Sequence, residues 1–316
     1  MKTLRRLNWT RSVASADWLL VAVPGLIWGA SFLFIAEGLK ATGPSGIAFM
    51  RLFIGLATLA FFPGARKPVD RSAWLAIALV GVLWFAFPLS VFPFAEQRVS
   101  SALTGMLNAL VPLFTAMVAT VIAGRVPDRR VLVGLSVGLI GAGLIAWPTV
   151  SEGHSSAVGA LLVLAAVVSY GLALNVARPL QQRYGPLPVI LRAQIVAVLL
   201  TAPLGARDLL AARWTMSPFL ALLALGAFGT GAAFVLLAVA AGRVGATRAS
   251  STAFLIPPVA LLLGVMVRGE HVAPLAIFGS VVCVAGAWFM RRPRLERSLH
   301  IEPSQPSALV AQRCES

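Results

Sequence analysis

The sequence predicts an all-α integral membrane protein of ten transmembrane helices, built as two inverted five-helix repeats. Three observations carry that prediction. Of 316 residues, 59% are hydrophobic and only 12% are charged, with a mean hydropathy of +0.88, against about 45–50% apolar and 25% charged in ordinary globular chains. Apolar runs near the roughly 20 residues needed to cross hydrocarbon occur ten times. The residues around Pro112 also recur around Pro257, 145 positions later, pairing Gly81 with Gly226, Gly124 with Gly269, Gly134 with Gly279 and Gly141 with Gly286. An earlier stretch pairs Trp28-Gly29 with Tyr170-Gly171 and Gly43-Pro44 with Gly185-Pro186 at a spacing of 142. Internal symmetry in so apolar a chain is the mark of a carrier.

The elements follow in order. Residues 1–16 make a basic N-terminus, expected in the cytoplasm. The run after it is too long for a signal peptide and has no small-residue cleavage site, so it is read as a retained helix. Trp18–Gly38, Ser45–Pro63, Ala73–Ala95, Ser101–Ala123 and Val131–Pro148 make the first repeat, within 17–149. Val158–Ala177, Leu187–Leu204, Pro218–Ala241, Ala249–Val267 and Val272–Met290 make the second, within 157–290. The tail, 291–316, holds Pro, Ser, Glu and Arg with little periodicity and is read as disordered and cytoplasmic. The runs are helices because alternating ten-residue barrel strands are absent and lipid tolerates no unpaired backbone. Five crossings is an odd number, so the second copy must enter the membrane in the opposite sense from the first.

The formal charge of +15 does not point to nucleic acid, because the basic residues lie in the short connections and on one side of the membrane. Of the 26 Lys and Arg residues, only Lys40, Arg98, Arg207, Arg213 and Arg268 fall on the outer side; Arg51 and Arg192 fall within runs. The bias places both termini of a multi-pass protein inside and accounts for the charge without a nucleic-acid partner. Cys283 and Cys314 offer neither a disulfide framework nor a metal spacing, and no cofactor is expected.

Trp28-Gly29-Ala30-Ser31-Phe32, then Pro44 and Arg51, the Pro112 helix, the Gly124 turn and the glycines from 134 to 143 resemble the EamA-type branch of the drug/metabolite transporter superfamily. The second half repeats the resemblance at Tyr170-Gly171, Pro257, Gly269-Glu270 and Gly279 to Gly286, so that it covers about Trp18 to Met290. The resemblance implies a secondary carrier of a bacterial inner membrane that exports amino acids, metabolites or toxic organic compounds. It also implies that helices one to four and six to nine line a central cavity, with five and ten peripheral. One departure stands out: the family commonly has Gly-Glu at both turns, and this chain has Gly124-Arg125 at the first.

Ionisable groups within hydrocarbon are functional candidates by default. Glu37 is read either as an outer-interface carboxylate paired with Lys40 or Arg51, or as a proton-coupling or cation-binding acid. Arg51 and Arg192, in the second helix of each half, are either helix-end anchors that snorkel or counter-ions for a solute carboxylate. Asn108 and Asn175 are amides deep in apolar sequence, joining helices or contacting solute; Asn108 is preferred because it lies four residues before Pro112, which frees a carbonyl and bends the helix. Trp28, Phe32, Trp84, Phe85, Tyr170 and Phe234 offer an aromatic wall for planar or cationic solutes, or else lipid-facing packing. Ser31 joins the solute-site candidates beside Trp28. Pro112 and Pro257 are read as gating kinks, with passive bends as the alternative.

An enzyme would need converging His, Asp, Glu or Cys groups, and His154, His271 and His300 fall in loops or the tail. A P-loop is absent, so ATP does not drive the protein directly. A channel filter would ask for rings of charge or carbonyls. The sequence therefore favours a carrier for small organic solutes working by alternating access, over a scaffold, a receptor or a passive facilitator. Its partners are a small-molecule solute and the lipid bilayer, with a homodimer left open.

Overall fold

The computed structural model describes residues 2–124, 129–151, 157–244 and 250–289, and every regular element among them is helical. The first half comprises α1 (Lys2–Gly38), α2 (Pro44–Ala60), α3 (Trp74–Val80), a π segment (Gly81–Ala86), α4 (Phe87–Glu96), α5 (Ser101–Leu107), a 3-10 turn (Asn108–Leu110), α6 (Val111–Ala123) and α7 (Arg129–Ser151). The second comprises α8 (Ala157–Tyr184), α9 (Pro186–Leu210), α10 (Met216–Ala224), a π segment (Leu225–Ala232), α11 (Ala233–Val244), a 3-10 turn (Ser250–Leu255), α12 (Ile256–Arg268) and α13 (Pro274–Phe289). Five stretches are long and apolar enough to cross a membrane: Arg71–Glu96, Ser101–Ile122, Ala157–Tyr184, Pro186–Leu210 and Met216–Ala240. Shorter apolar helices occupy the positions of the remaining expected runs. The basic N-terminal stretch is continuous with α1, whereas residues 152–156 and the tail lie outside the described residues.

Local chemistry explains where these helices break. Pro112 has no N–H to give the carbonyl of Asn108, so the Val111 N–H takes that carbonyl in a 3-10 turn and α6 starts afresh, with its proline in the first turn. The ninth run repeats the device, with a 3-10 turn over Ser250–Leu255 and a proline in the first turn of α12. Pro88 likewise cannot donate to Trp84, and the π segment Gly81–Ala86 lies just before it. Both α6 and α12 end on a glycine in the left-handed region, Gly124 at φ 59° and Gly269 at φ 64°, where a Cβ would be strained.

Packing joins the two halves. α2 lies against α9 and against the π segment of the eighth run, α5 against α12, and α7 chiefly against α13, while α8 lies between α4 and α6. The approach is closest where glycines remove the side chain. A Cβ at Gly81 would fall 2.7 Å from the Ala193 carbonyl oxygen, and one at Gly226 would fall 3.1 Å from that of Arg51. These are equivalent pairs under the 145- and 142-residue spacings, so the duplication is written into the contacts as well as the letters. Gly141 against Gly279 and Gly286 against Gly134 bring α7 and α13 together in the same way, as the glycine ridges predict. Ile47, Leu52, Phe85, Leu107 and Leu222 are fully buried between helices, whereas Leu75, Val121 and Leu210 on the periphery are more than three-quarters exposed. A continuous apolar exterior of that kind suits lipid rather than water.

Candidate functional site

The two π segments lie at equivalent places in the third and eighth runs, and each presents a carbonyl to a donor on a helix of the opposite half. The Trp28 indole Nε1, from the first half, donates to Gly229 O at 2.9 Å, and Ser169 Oγ, from the second half and one residue before Tyr170, donates to Leu83 O at 2.7 Å. Within the second half, Gln194 Nε2 donates to Thr230 O at 2.9 Å. A π turn displaces backbone carbonyls from the regular ladder, which makes them available to side chains and ties the halves together at their midsections.

Aromatic rings surround these segments. Phe234 meets Trp28 at 5.3 Å and Trp84 at 5.6 Å, both edge to face, and Phe85 at 5.3 Å. A second group runs from Phe32 to Phe92 at 5.7 Å and on to Tyr170 at 5.9 Å. The expected aromatic residues are thus brought together inside the bundle, contributed by α1, α4, α8, α11 and a π segment. Edge-to-face contact leaves ring faces available to a neighbour. Ser31, also buried, donates to the Ile27 carbonyl of its own helix.

The polar groups near these rings are sparse and incompletely partnered. Arg51 is only 5% exposed, about 10 Å along α2 from its start at 1.5 Å per residue, and its Nε donates to Thr230 Oγ1 at 3.2 Å. It does not snorkel, so the reading as a helix-end anchor is corrected: the side chain turns inward against the π segment. Arg192 behaves differently, donating to Pro188 O and to Lys67 O at 2.9 Å near the exposed end of its helix. The two arginines lie one residue out of register under the 142-residue spacing, about 100° apart around the helix, and their settings differ. Gln194 is fully buried; with its Nε2 held by Thr230 O, its Oε1 has no hydrogen-bond partner among the described residues. Asn108 Oδ1 and both carboxyl oxygens of Glu96 are likewise enclosed and unpartnered. Leaving buried acceptors unpaired costs about 1–3 kcal/mol each, so these atoms mark where a ligand's donors would be welcome.

Glu96, Gln194 and Thr230 are absent from the candidates drawn from sequence. The third apolar run ends at Ala95, whereas α4 runs to Glu96 and turns its carboxyl inward, a further acid at the edge of an apolar run beside Glu37. Gln194 was legible as a lone amide within an apolar run. Thr230 carried no signal of its own.

The other predicted residues are placed as follows. Glu37 pairs with Lys40 at 2.6 Å and accepts from Ser217 Oγ at 2.8 Å, at the partly exposed end of α1. Asn175 Nδ2 donates to Thr115 O and Gly171 O, joining α8 to α6. Pro112 and Pro257 stand at the 3-10 to α junctions. Arg125 lies outside the described residues, but its counterpart Glu270 closes the start of α5: its Oε1 accepts from Ser101 N and Oγ, and its Oε2 from Ala102 N. Asp208 does the same for α2, its Oδ2 accepting from Ser45 N at 3.0 Å and Gly46 N at 3.1 Å. Each acid belongs to the second half and satisfies orphan N–H groups at a helix start in the first.

Known proteins resemble this chain in sequence and in fold. The chain is 28% identical over 292 residues to a probable terminal-alkyne amino-acid exporter of Streptantibioticus cattleyicolor, covering 90% of this chain and 96% of that one. It is 28% identical over 253 residues to the uncharacterized inner membrane transporter YedA of Escherichia coli, covering 78% and 80%. It is 24% identical over 284 residues to a probable amino-acid metabolite efflux pump of Salmonella typhimurium, covering 86% and 93%. A crystal structure of a protein 18% identical in sequence shares the fold, with a TM-score of 0.61 over 87% of this chain and 96% of that one. The EamA-like transporter family matches residues 17–147 and again 157–292, and with both halves accounted for, this chain belongs to that family of membrane transporters.

Proposed function

We propose that this transporter is a secondary active exporter of small organic metabolites, amino acids or related amine-bearing compounds, in a bacterial inner membrane. The observation that carries the reading is the set of enclosed, unpartnered acceptors on Glu96, Asn108 and Gln194, in a bundle whose interior also holds the rings of Trp28, Phe32, Trp84 and Tyr170. Free acceptors call for a solute with N–H or O–H donors, and ring faces accommodate the edge of a cation or an apolar side chain. Arg51, buried and bound by one nitrogen to Thr230, offers a place for a solute carboxylate. Relatives named as an amino-acid exporter and an amino-acid metabolite efflux pump agree with such a solute.

Alternating access follows from a ten-helix frame of two inverted repeats with both termini cytoplasmic, rocking about the junction where the site lies. The equivalent glycine contacts at Gly81 and Gly226 support that frame. The prolines at 112 and 257 are the hinges of this motion, and one of the two ends is held by Glu270 and Asp208. Transport, rather than chemistry on the solute, is what the site is built for.

The test is an unbiased comparison of metabolites in cells and medium, with and without the protein. Amine-bearing solutes should rise in the medium with wild type and not with Gln194→Leu, which buries the same volume without the free acceptor. If the medium is unchanged by wild type, the reading falls.

A further inference from the structure

The Glu96 carboxyl has no counter-charge in contact, although three charged groups lie in range of it: Arg51 on α2, and Arg268 and Glu270 at the end of α12. Each of these is engaged elsewhere. Arg51 donates to Thr230, Arg268 pairs with Glu270 at 3.2 Å, and Glu270 accepts from Ser101 and Ala102. Of the other elements packed on α4, α8 brings Tyr170 through its contact with Phe92, and α1 brings Glu37, itself paired with Lys40. The preceding π segment and α5 bring no titratable group. An ionised carboxylate here would be enclosed, without hydrogen bonds, and would face a second carboxylate; burial and like charge both oppose that state.

We propose that the Glu96 carboxyl is a proton-binding site of the transport cycle, loaded while Glu270 is latched onto Ser101 and unloaded when that end of the bundle opens. The role in a cycle rests on the transporter reading; the occupancy by a proton does not. On opening, the O–H proton passes to water and leaves a carboxylate facing Glu270. Repulsion between the two then weakens the hold of Glu270 on Ser101 and Ala102, so proton release and opening favour each other. In the opposite sense, protonation removes the repulsion and lets the latch close. Arg51, already in range, is the group available to the ionised form.

Infrared difference spectroscopy of the full-length protein in lipid bilayers, between neutral and alkaline pH, reads the carbonyl stretch of protonated carboxylic acids directly. Wild type and Glu37→Gln should each show a protonated carboxyl at neutral pH that vanishes on alkalinisation, and Glu96→Gln should lose it. Glu96→Asp should keep a band at an altered position, which decides the matter if the Gln variant does not fold. Absence of a protonated carboxyl in wild type at neutral pH, or its persistence in Glu96→Gln, would overturn the proposal. Because the measurement needs no solute, a band without export removes the transport reading and leaves the site, and export without the band does the reverse.

Discussion

Glu270 grips Ser101 across the two halves of the chain, accepting from its backbone N at 3.1 Å and its hydroxyl at 2.6 Å with one oxygen, while the other takes Ala102 N at 2.9 Å. An acid beyond the end of α12 thereby supplies the cap that α5 cannot make from its own residues alone, Ser100 serving only Leu103 N. The Arg268 side chain steadies the carboxylate at 3.2 Å.

Removing this grip should loosen one end of the bundle. Glu270→Ala and Asp208→Ala are each expected to destabilise by about 1 kcal/mol, the usual worth of a helix cap, and the pair should add because the two contacts lie on separate helices. Thermal unfolding of the purified protein checks this. A double variant with an unchanged midpoint would remove both acids from the structural account.

The arginines should separate in function as they do in setting. Arg51→Met is expected to abolish export, at least tenfold by about 1.4 kcal/mol of lost interaction, since it removes a buried guanidinium bonded to Thr230. Arg192→Ala should leave export within about twofold, because exposed polar contacts contribute little. Rates of efflux for the solute that the comparison of cells and medium identifies decide it; equal losses would contradict the assignment.

Hinges at Pro112 and Pro257 predict a third outcome. Alanine at either position restores an N–H, lets the helix run on through the 3-10 turn and should slow export while membrane insertion persists. Normal rates in both variants would reduce the prolines to passive bends.

Topology can be read with an impermeant thiol reagent on intact cells, in a Cys314→Ser background. A cysteine at Ser155 should label and one at Ser304 should not, given the charge asymmetry of the connections. The opposite pattern would invert the frame, and with it the assignment of the Glu270 end to the outside.

The all-helical, apolar character of the chain, the duplication and the breaks at Pro112 and Pro257 were legible in the letters. Each depends on composition along a single segment: hydropathy over about 20 residues, a missing N–H, a glycine where no Cβ fits. Trp28 and Tyr170 stood out for the same reason, since the repeat keeps an aromatic before glycine at both. Tertiary structure alone decided how the polar groups sort. Arg51 and Arg192 stand within one residue of equivalent positions, yet one turns toward a π segment and the other toward a loop carbonyl. Glu96 lies one residue beyond an apolar run and reads as a loop acid until neighbouring helices enclose its carboxyl, while Glu37, well within its run, reaches Lys40 and the surface. Whether a side chain is sealed or solvated depends on what the adjacent helices present to it, and that information lies as many as 201 residues away in the chain, as between Trp28 and Gly229.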